Sequence, residues 1–192
     1  LSVLIISNKE SIITLEDPLL EKYSSEIIVD DSLGVASARN RLAEKASHEL
    51  LIFLDDDVKL KESVWSQIIN VKSNEVFMAQ GYRHPITRIM AIKKETFNEI
   101  GKFDENIRYN GEDLDFYWRA LKQGYIISII PDCLIEHRIH YKSNWAKSHF
   151  ESAYTRVKHG RISIDFFVQT NPIIALLRFA GFIYHQIRIR LK

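Results

Sequence analysis

Two acidic runs carry most of the chemistry this sequence could perform. The first is Asp55-Asp56-Asp57, directly after the apolar run Leu50-Leu-Ile-Phe-Leu54. Three adjacent carboxylates repel one another, and a hard divalent cation with oxygen ligands relieves that repulsion. Alternate residues of an extended segment point to the same side, so Asp55 and Asp57 are expected to act together. Mg2+ or Mn2+ held this way keeps positions open for a phosphate-bearing ligand. Aspartates after strands also serve as turn and cap residues. Both readings stay open for the shorter run Asp30-Asp31, whereas the triple run favours the cation.

The second run is Asn110-Gly-Glu-Asp-Leu-Asp-Phe-Tyr-Trp-Arg119. A helix start favours negative charge, which accounts for one or two of Glu112, Asp113 and Asp115. Phe103, Phe116 and Trp118 are expected to pack around these carboxylates. Such shielding raises a carboxyl pKa and suits a general base. His137, just after the short extended piece Asp132–Glu136, is the third element. His84, His140, His149, His159 and His185 receive no role.

These residues need a frame that brings them together. Ser2–Ile6, Glu26–Val29 and Leu50–Leu54 read as buried strands. A helix broken near Pro18 (10–23), a second over 34–47 and a third over 61–72 separate or follow them. This alternation predicts a parallel sheet with right-handed crossovers, whose ligands bind beyond the carboxyl ends of the strands. Further on, 76–80, 86–92 and 125–130 read as strands, 94–100 and 112–123 as helices closed by Gly101 and Gly124, and a helical tail follows from about Trp145. The division expected is a catalytic region over 1–142 and a helical extension over 143–192.

Composition narrows the function. At 192 residues and 46% hydrophobic, the chain can bury a core of its own. A net charge of +1 lacks the basic surplus of a nucleic-acid binder. The single cysteine, Cys133, excludes an internal disulfide framework and points to a reducing, cytoplasmic setting. Leu1–Ile6 is too short, and lacks the basic lead, for a secretory signal. From Asn171 to Lys192 the chain has no acidic residue but carries Arg178, Arg188, Arg190 and Lys192 on an apolar background. The apolar stretch is too short to span a bilayer, and reads as an interfacial, core-packing or dimer helix.

Taken in order, three early segments resemble family 2 glycosyltransferases: Glu26-Ile-Ile-Val-Asp-Asp-Ser32, Gly34-Val-Ala-Ser-Ala-Arg-Asn40 and Leu51-Ile-Phe-Leu-Asp-Asp-Asp57. So do Ile100-Gly-Lys-Phe-Asp-Glu105, Gly111-Glu-Asp-Leu-Asp-Phe-Tyr-Trp-Arg119, and Gly124-Tyr125 with Ile130-Pro131 through His137. The resemblance covers about residues 1–140. It implies a GT-A fold: α/β, Rossmann-like, with a mostly parallel central sheet flanked by helices. It also implies a nucleotide-diphosphate sugar donor, a Mn2+ or Mg2+ ion, and inverting transfer to a saccharide or lipid-linked acceptor. By this resemblance Asp30 or Asp31 sits at the nucleotide base with Ser7 beside it, and Arg39 lies near the nucleotide or diphosphate. Asp55-Asp56-Asp57 matches the DXD metal motif, with Asp55 toward the ribose and Asp57 on the cation. His137 completes the metal or diphosphate site, Asp113 is the catalytic base, and Glu112 receives acceptor or donor hydroxyls. The lean is toward a uridine diphosphate donor and a protein at the cytoplasmic face of a membrane, with homodimerisation through the tail as the other use of that helix.

The sequence departs from the family at Ser7-Asn-Lys-Glu10, where a proline and an aromatic are usual, and at the short Ser32-Leu33. Both departures bear on the donor-base contacts. A phosphatase of the haloacid-dehalogenase type would also place Asp-x-Asp after an apolar strand, but leaves the Gly-Glu-Asp and Ala-Arg-Asn runs unexplained. No Gly-Lys-Ser/Thr turn supports a P-loop enzyme. The non-enzymatic alternative is a degenerate GT-A domain that binds nucleotide or docks a partner.

Overall fold

The computed structural model describes residues 1–7, 12–30, 34–82, 84–107, 111–137, 145–161 and 172–191. The strands are β1 (Ser2–Ile6), β2 (Glu26–Asp30), β3 (Leu50–Asp55), β4 (Val58–Leu60), β5 (Glu75–Ala79), β6 (Ile86–Lys93), β7 (Ile126–Ile130) and β8 (Ile135–His137). The helices are α1 (Pro18–Tyr23), α2 (Val35–Lys45), α3 (Glu62–Ile68), α4 (Lys94–Ile100), α5 (Glu112–Lys122), α6 (Trp145–Lys158) and α7 (Pro172–Arg190).

Six strands form one sheet in the order β2-β1-β3-β6-β5-β7, and β4 pairs with β8 beside it. β1 is parallel to β2 and β3, while β6 is antiparallel to both β3 and β5, and β5 is parallel to β7. The carboxyl ends of β1, β2, β3, β5 and β7 therefore share one rim with the start of β6.

The central strands are apolar throughout because both faces are covered. On one face Val3, Ile5, Ile52 and Leu54 pack against Leu20, Trp65 and Ile68. On the other, Leu4, Leu51, Phe53, Met90 and Ile92 meet Leu42, Phe97 and Phe116. Phe53, Phe97, Phe103 and Phe116 of α5 cluster in this second layer, with Phe97 stacked on Phe116 and Phe103 edge-on to Phe53.

Several sequence expectations are corrected by the packing. β2 is an edge strand, so Ile27 and Val29 remain 41% and 40% exposed rather than buried. The helix expected over 10–23 resolves into a 3-10 turn (Ile13–Glu16) and α1. Asp17 separates the two and caps α1 by accepting the Leu19 amide at 3.0 Å. α3 stops at Ile68, short of Lys72. β4 was not expected: Val58-Lys-Leu60 is extended because β8 supplies its hydrogen-bonding partner.

The tail packs α7 on α6 and α6 on α5. A Cβ on Gly181 would lie 2.2 Å from the Phe150 carbonyl oxygen, so glycine lets the two helices approach. His185 is fully buried among Phe150, Tyr154 and Tyr184. Burial, with the nearby Arg188 charge, pushes its pKa down to about 4. The outer side of α7 leaves Ile173, Leu176, Phe179, Ile183 and Ile187 about half exposed or more. No helix among the described residues is long and apolar enough to cross a membrane.

Candidate active site

The turn after β3 is fixed from two sides. Thr14, almost fully buried, donates its hydroxyl to the Asp55 carbonyl at 2.7 Å and accepts the Val58 amide at 3.0 Å. Its own amide donates to the Asp56 carbonyl at 3.1 Å. One threonine thus spans the whole acidic turn. At the end of β1, Ser7 donates its hydroxyl to Asp56 Oδ2 at 2.6 Å and its amide to the Asp30 carbonyl at 3.1 Å. Asp57 is buried, at 7% exposure.

The second acidic run reaches the same rim because α5 precedes the edge strand β7 and returns antiparallel to it. Arg39, on the buried face of α2, joins the two runs. It donates from Nη1 to Glu112 Oε1 at 3.0 Å and from Nη2 to Asp55 Oδ1 at 3.2 Å. The Phe103 ring lies under the guanidinium at 5.4 Å. The neighbouring Asn40 grips the Phe103 backbone with both ends of its amide, each at 3.0 Å. The Ala-Arg-Asn motif therefore positions the loop before α5 and neutralises one carboxylate from each acidic run.

The electrostatics divide the carboxylates into different states. Partial removal from water pushes the Asp55 carboxyl up; the Asp57 and Asp56 charges add to this, while Arg39 and Arg88 oppose it. Burial, reinforced by the neighbouring Asp113 charge, raises Glu112 despite Arg39. Burial alone would also raise Asp115, but the charge of Arg119 and contacts from Lys158 and His159 overcome it and hold the group below its usual range. Asp115 is thus the structural carboxylate of the three. Trp118 does not shield the pair as expected: it faces the end of α6, against His159 and Arg161.

The structure thus gathers Ser7, Arg39, Asp55, Asp56, Asp57, Glu112 and Asp113 at one rim. Asp30 is there too, with its carboxylate paired to Arg41 at 3.1 Å. Asp31 lies outside the described residues. The His137 backbone pairs with Val58, next to Asp57, while its side chain lies outside the described residues. Sequence reasoning passed over Thr14 and His84. His84 Nε2 stands 3.7 Å from Asp113 Oδ1, on the β5–β6 turn that the strand directions place at this rim. Gly81 makes that turn tight, since a Cβ there would meet the His84 carbonyl at 2.2 Å. The glycine just after β5 was the signal available for it.

Among the described residues, no group of three or more His, Cys, Asp and Glu side chains converges into a metal cage. The donors that are present, Asp55 and Asp57, are hard oxygen ligands. They fit a cation that takes its remaining ligands from phosphate and water.

The sequence matches no family model and no curated protein. Its fold matches solved structures. GalNAc-T7 with UDP, GalNAc and Mn2+ superposes at a TM-score of 0.63 and 13% identity, over 99% of this chain and 56% of that one. The mannosyltransferase PcManGT from Pyrobaculum calidifontis, with GDP-Man and Mn2+, superposes at 0.59 and 12% identity, over 96% of this chain and 69% of that one. A Drosophila β1,4-galactosyltransferase 7 with manganese, UDP-Gal and xylobiose superposes at 0.54 and 14% identity, over 67% of this chain and 63% of that one. This chain spans between 56% and 69% of the length of these structures. Strand order, helical cover and the shared superposition together give the chain the GT-A glycosyltransferase fold.

Proposed function

We propose that this chain is a metal-dependent, inverting glycosyltransferase of the family 2 type. It would move a hexose or related sugar from a nucleotide diphosphate to an acceptor hydroxyl. The observation that carries the reading is Arg39, which ties Asp55 of one acidic turn to Glu112 of the other and so supports a donor site beside a base. The Mn2+, UDP and GDP-Man held by the similar structures support a divalent cation and a nucleotide-sugar donor, with UDP favoured.

Asp55 and Asp57 would hold the cation, with His137 as a further ligand, and Ser7, Asp30, Asp31, Asp56 and Arg39 would receive the donor. A cation held by these carboxylates would supply positive charge against the departing diphosphate. Asp113 takes the proton from the acceptor hydroxyl as that oxygen attacks the anomeric carbon. Glu112, held by Arg39, would accept a hydrogen bond from a sugar hydroxyl. A single displacement inverts the anomeric carbon and needs no protein nucleophile. The acceptor would be a saccharide or a lipid-linked glycan.

The first test is a thermal-shift screen of nucleotides with Mn2+, because a ligand of the native state raises its melting temperature. UDP or GDP acting only with Mn2+ supports the reading; no shift with any nucleoside diphosphate removes it. Binding without turnover of any sugar donor would instead leave a nucleotide-binding module.

The apolar outer side of α7, flanked by arginines and free of carboxylates, supports peripheral contact with an anionic bilayer at the cytoplasmic face. Pelleting with phosphatidylglycerol vesicles, with and without residues 171–192, tests this. Equal recovery in the supernatant ends it, and a concentration-dependent dimer in sedimentation would assign the helix to a second copy.

A further inference from the structure

We infer that α6 is the backrest of the catalytic turn and that Thr155 is a positioning residue for Glu112 and Asp113. The inference rests on the glycosyltransferase reading above and adds the C-terminal extension to its machinery.

Helix α5 starts without a side-chain cap. Its N-cap is Gly111, in the left-handed region at φ 106°. Within the first turn Asp113 Oδ1 accepts the Leu114 amide at 2.8 Å. From outside the helix, the turn is held by α6. The fully buried Thr155 donates its hydroxyl to the Gly111 carbonyl at 3.1 Å, alongside the Asp115 amide at 2.9 Å. A Cβ on Gly111 would lie 2.7 Å from Thr155 Oγ1, so only glycine allows this approach.

One turn further along α5 there is a second hold. The fully buried Asp115 carboxylate accepts Lys158 Nζ at 2.7 Å and His159 Nε2 at 2.8 Å. Thr155, Lys158 and His159 are three and four residues apart, so one side of α6 and its end makes all three contacts. Arg119 donates to Asp115 from the other side and to the Ile100 and Lys102 carbonyls at 2.6 Å each, anchoring the assembly to the end of α4. Glu112 and Asp113 lie between the two pinned points, Gly111 and Asp115. Their place relative to Arg39 and the acidic turn after β3 is therefore set by a helix more than 40 residues downstream.

The test separates positioning from plain packing. Thr155→Val removes the hydroxyl and keeps the branched shape, while Thr155→Ser restores the hydroxyl. UDP or GDP release from a panel of UDP- and GDP-hexoses with Mn2+ is measured for each. Hydrogen exchange of the Leu114 and Asp115 amides is read in the same proteins. The expected result for Thr155→Val is a kcat lowered about tenfold with donor KM within about twofold. Exchange at Leu114 and Asp115 should be faster, and both effects should be reversed in Thr155→Ser. Unchanged exchange in Thr155→Val, an unchanged kcat, or a serine variant as impaired as the valine would each overturn it. If the wild type releases no nucleotide from any donor, the function reading fails. The exchange comparison then still decides whether Thr155 holds the turn.

Discussion

The two acidic turns at the rim are built in opposite ways. Asp55-Asp56-Asp57 leaves a strand buried on both faces and is tied by Thr14 and Ser7, from the first part of the chain. Its position follows from the sheet. Glu112-Asp113 begins a helix beside an edge strand and is tied by Thr155, Lys158 and His159, from the tail. Its position follows from a helix whose sequence carries no catalytic signature. Arg39 touches both. The comparison teaches that one acidic turn can come with the core, whereas the acidic helix start opposite it needs a separate support.

The sharpest way to break this division of labour is at the base itself. Asp113→Asn should lower turnover about a thousandfold, the range of a positioned general base, while the acidic turn after β3 keeps its metal-dependent nucleotide binding. Removing the bridge comes next. Arg39→Met leaves Glu112 buried beside Asp113 without its partner, and should cost about 3 kcal/mol in urea unfolding. Thr14→Val should act on one turn alone. It strands the buried Val58 amide, costing about 2 kcal/mol, and weakens Mn2+-dependent binding before it touches the α5 side.

The smallest effect is expected on the tail's grip. For Asp104, burial pushes the carboxyl up, but the Lys158 and Asn106 hydrogen bonds hold it at about 2. Its folded value lies below its unfolded one, so the stability it contributes is present above about pH 4. That stability is lost as pH falls toward the folded value, and Asp115 contributes in the same direction. Lys158→Met should therefore be less stable than wild type by about 1–2 kcal/mol near neutral pH. Urea melts from about pH 6 downward should show the gap closing between about pH 4 and 2. A constant gap would place the contact outside the ionic clamp.

Much of this was legible in the residues. Apolar runs ending in aspartates marked β1–β3 and the rim, and Gly101 and Gly124 marked helix ends where they occur. The acidic residues were legible because a run of carboxylates at a strand end is conspicuous. What escaped depended on partners far along the chain. Val58–Leu60 is a strand only because Ile135–His137 lies beside it. Ile27 and Val29 read as buried because an edge strand and a central strand have the same local composition. Thr14, His84 and Thr155 act through contacts with residues far along the chain and with no spacing pattern, so nothing in their neighbourhood announced them. Trp118 was assigned to the wrong side because an aromatic near a carboxylate in sequence need not face it on a helix.

The central claim is that Asp57 and Asp113 serve one ligand from opposite sides. Titrating UDP with Mn2+ into wild type, Asp57→Ala and Asp113→Asn by calorimetry, with donor turnover measured on the same proteins, tests it most directly. The account predicts that Asp57→Ala loses the metal-dependent part of binding, and that Asp113→Asn binds as wild type does yet turns over almost no donor. Nucleotide binding that survives Asp57→Ala but disappears in Asp113→Asn would contradict it.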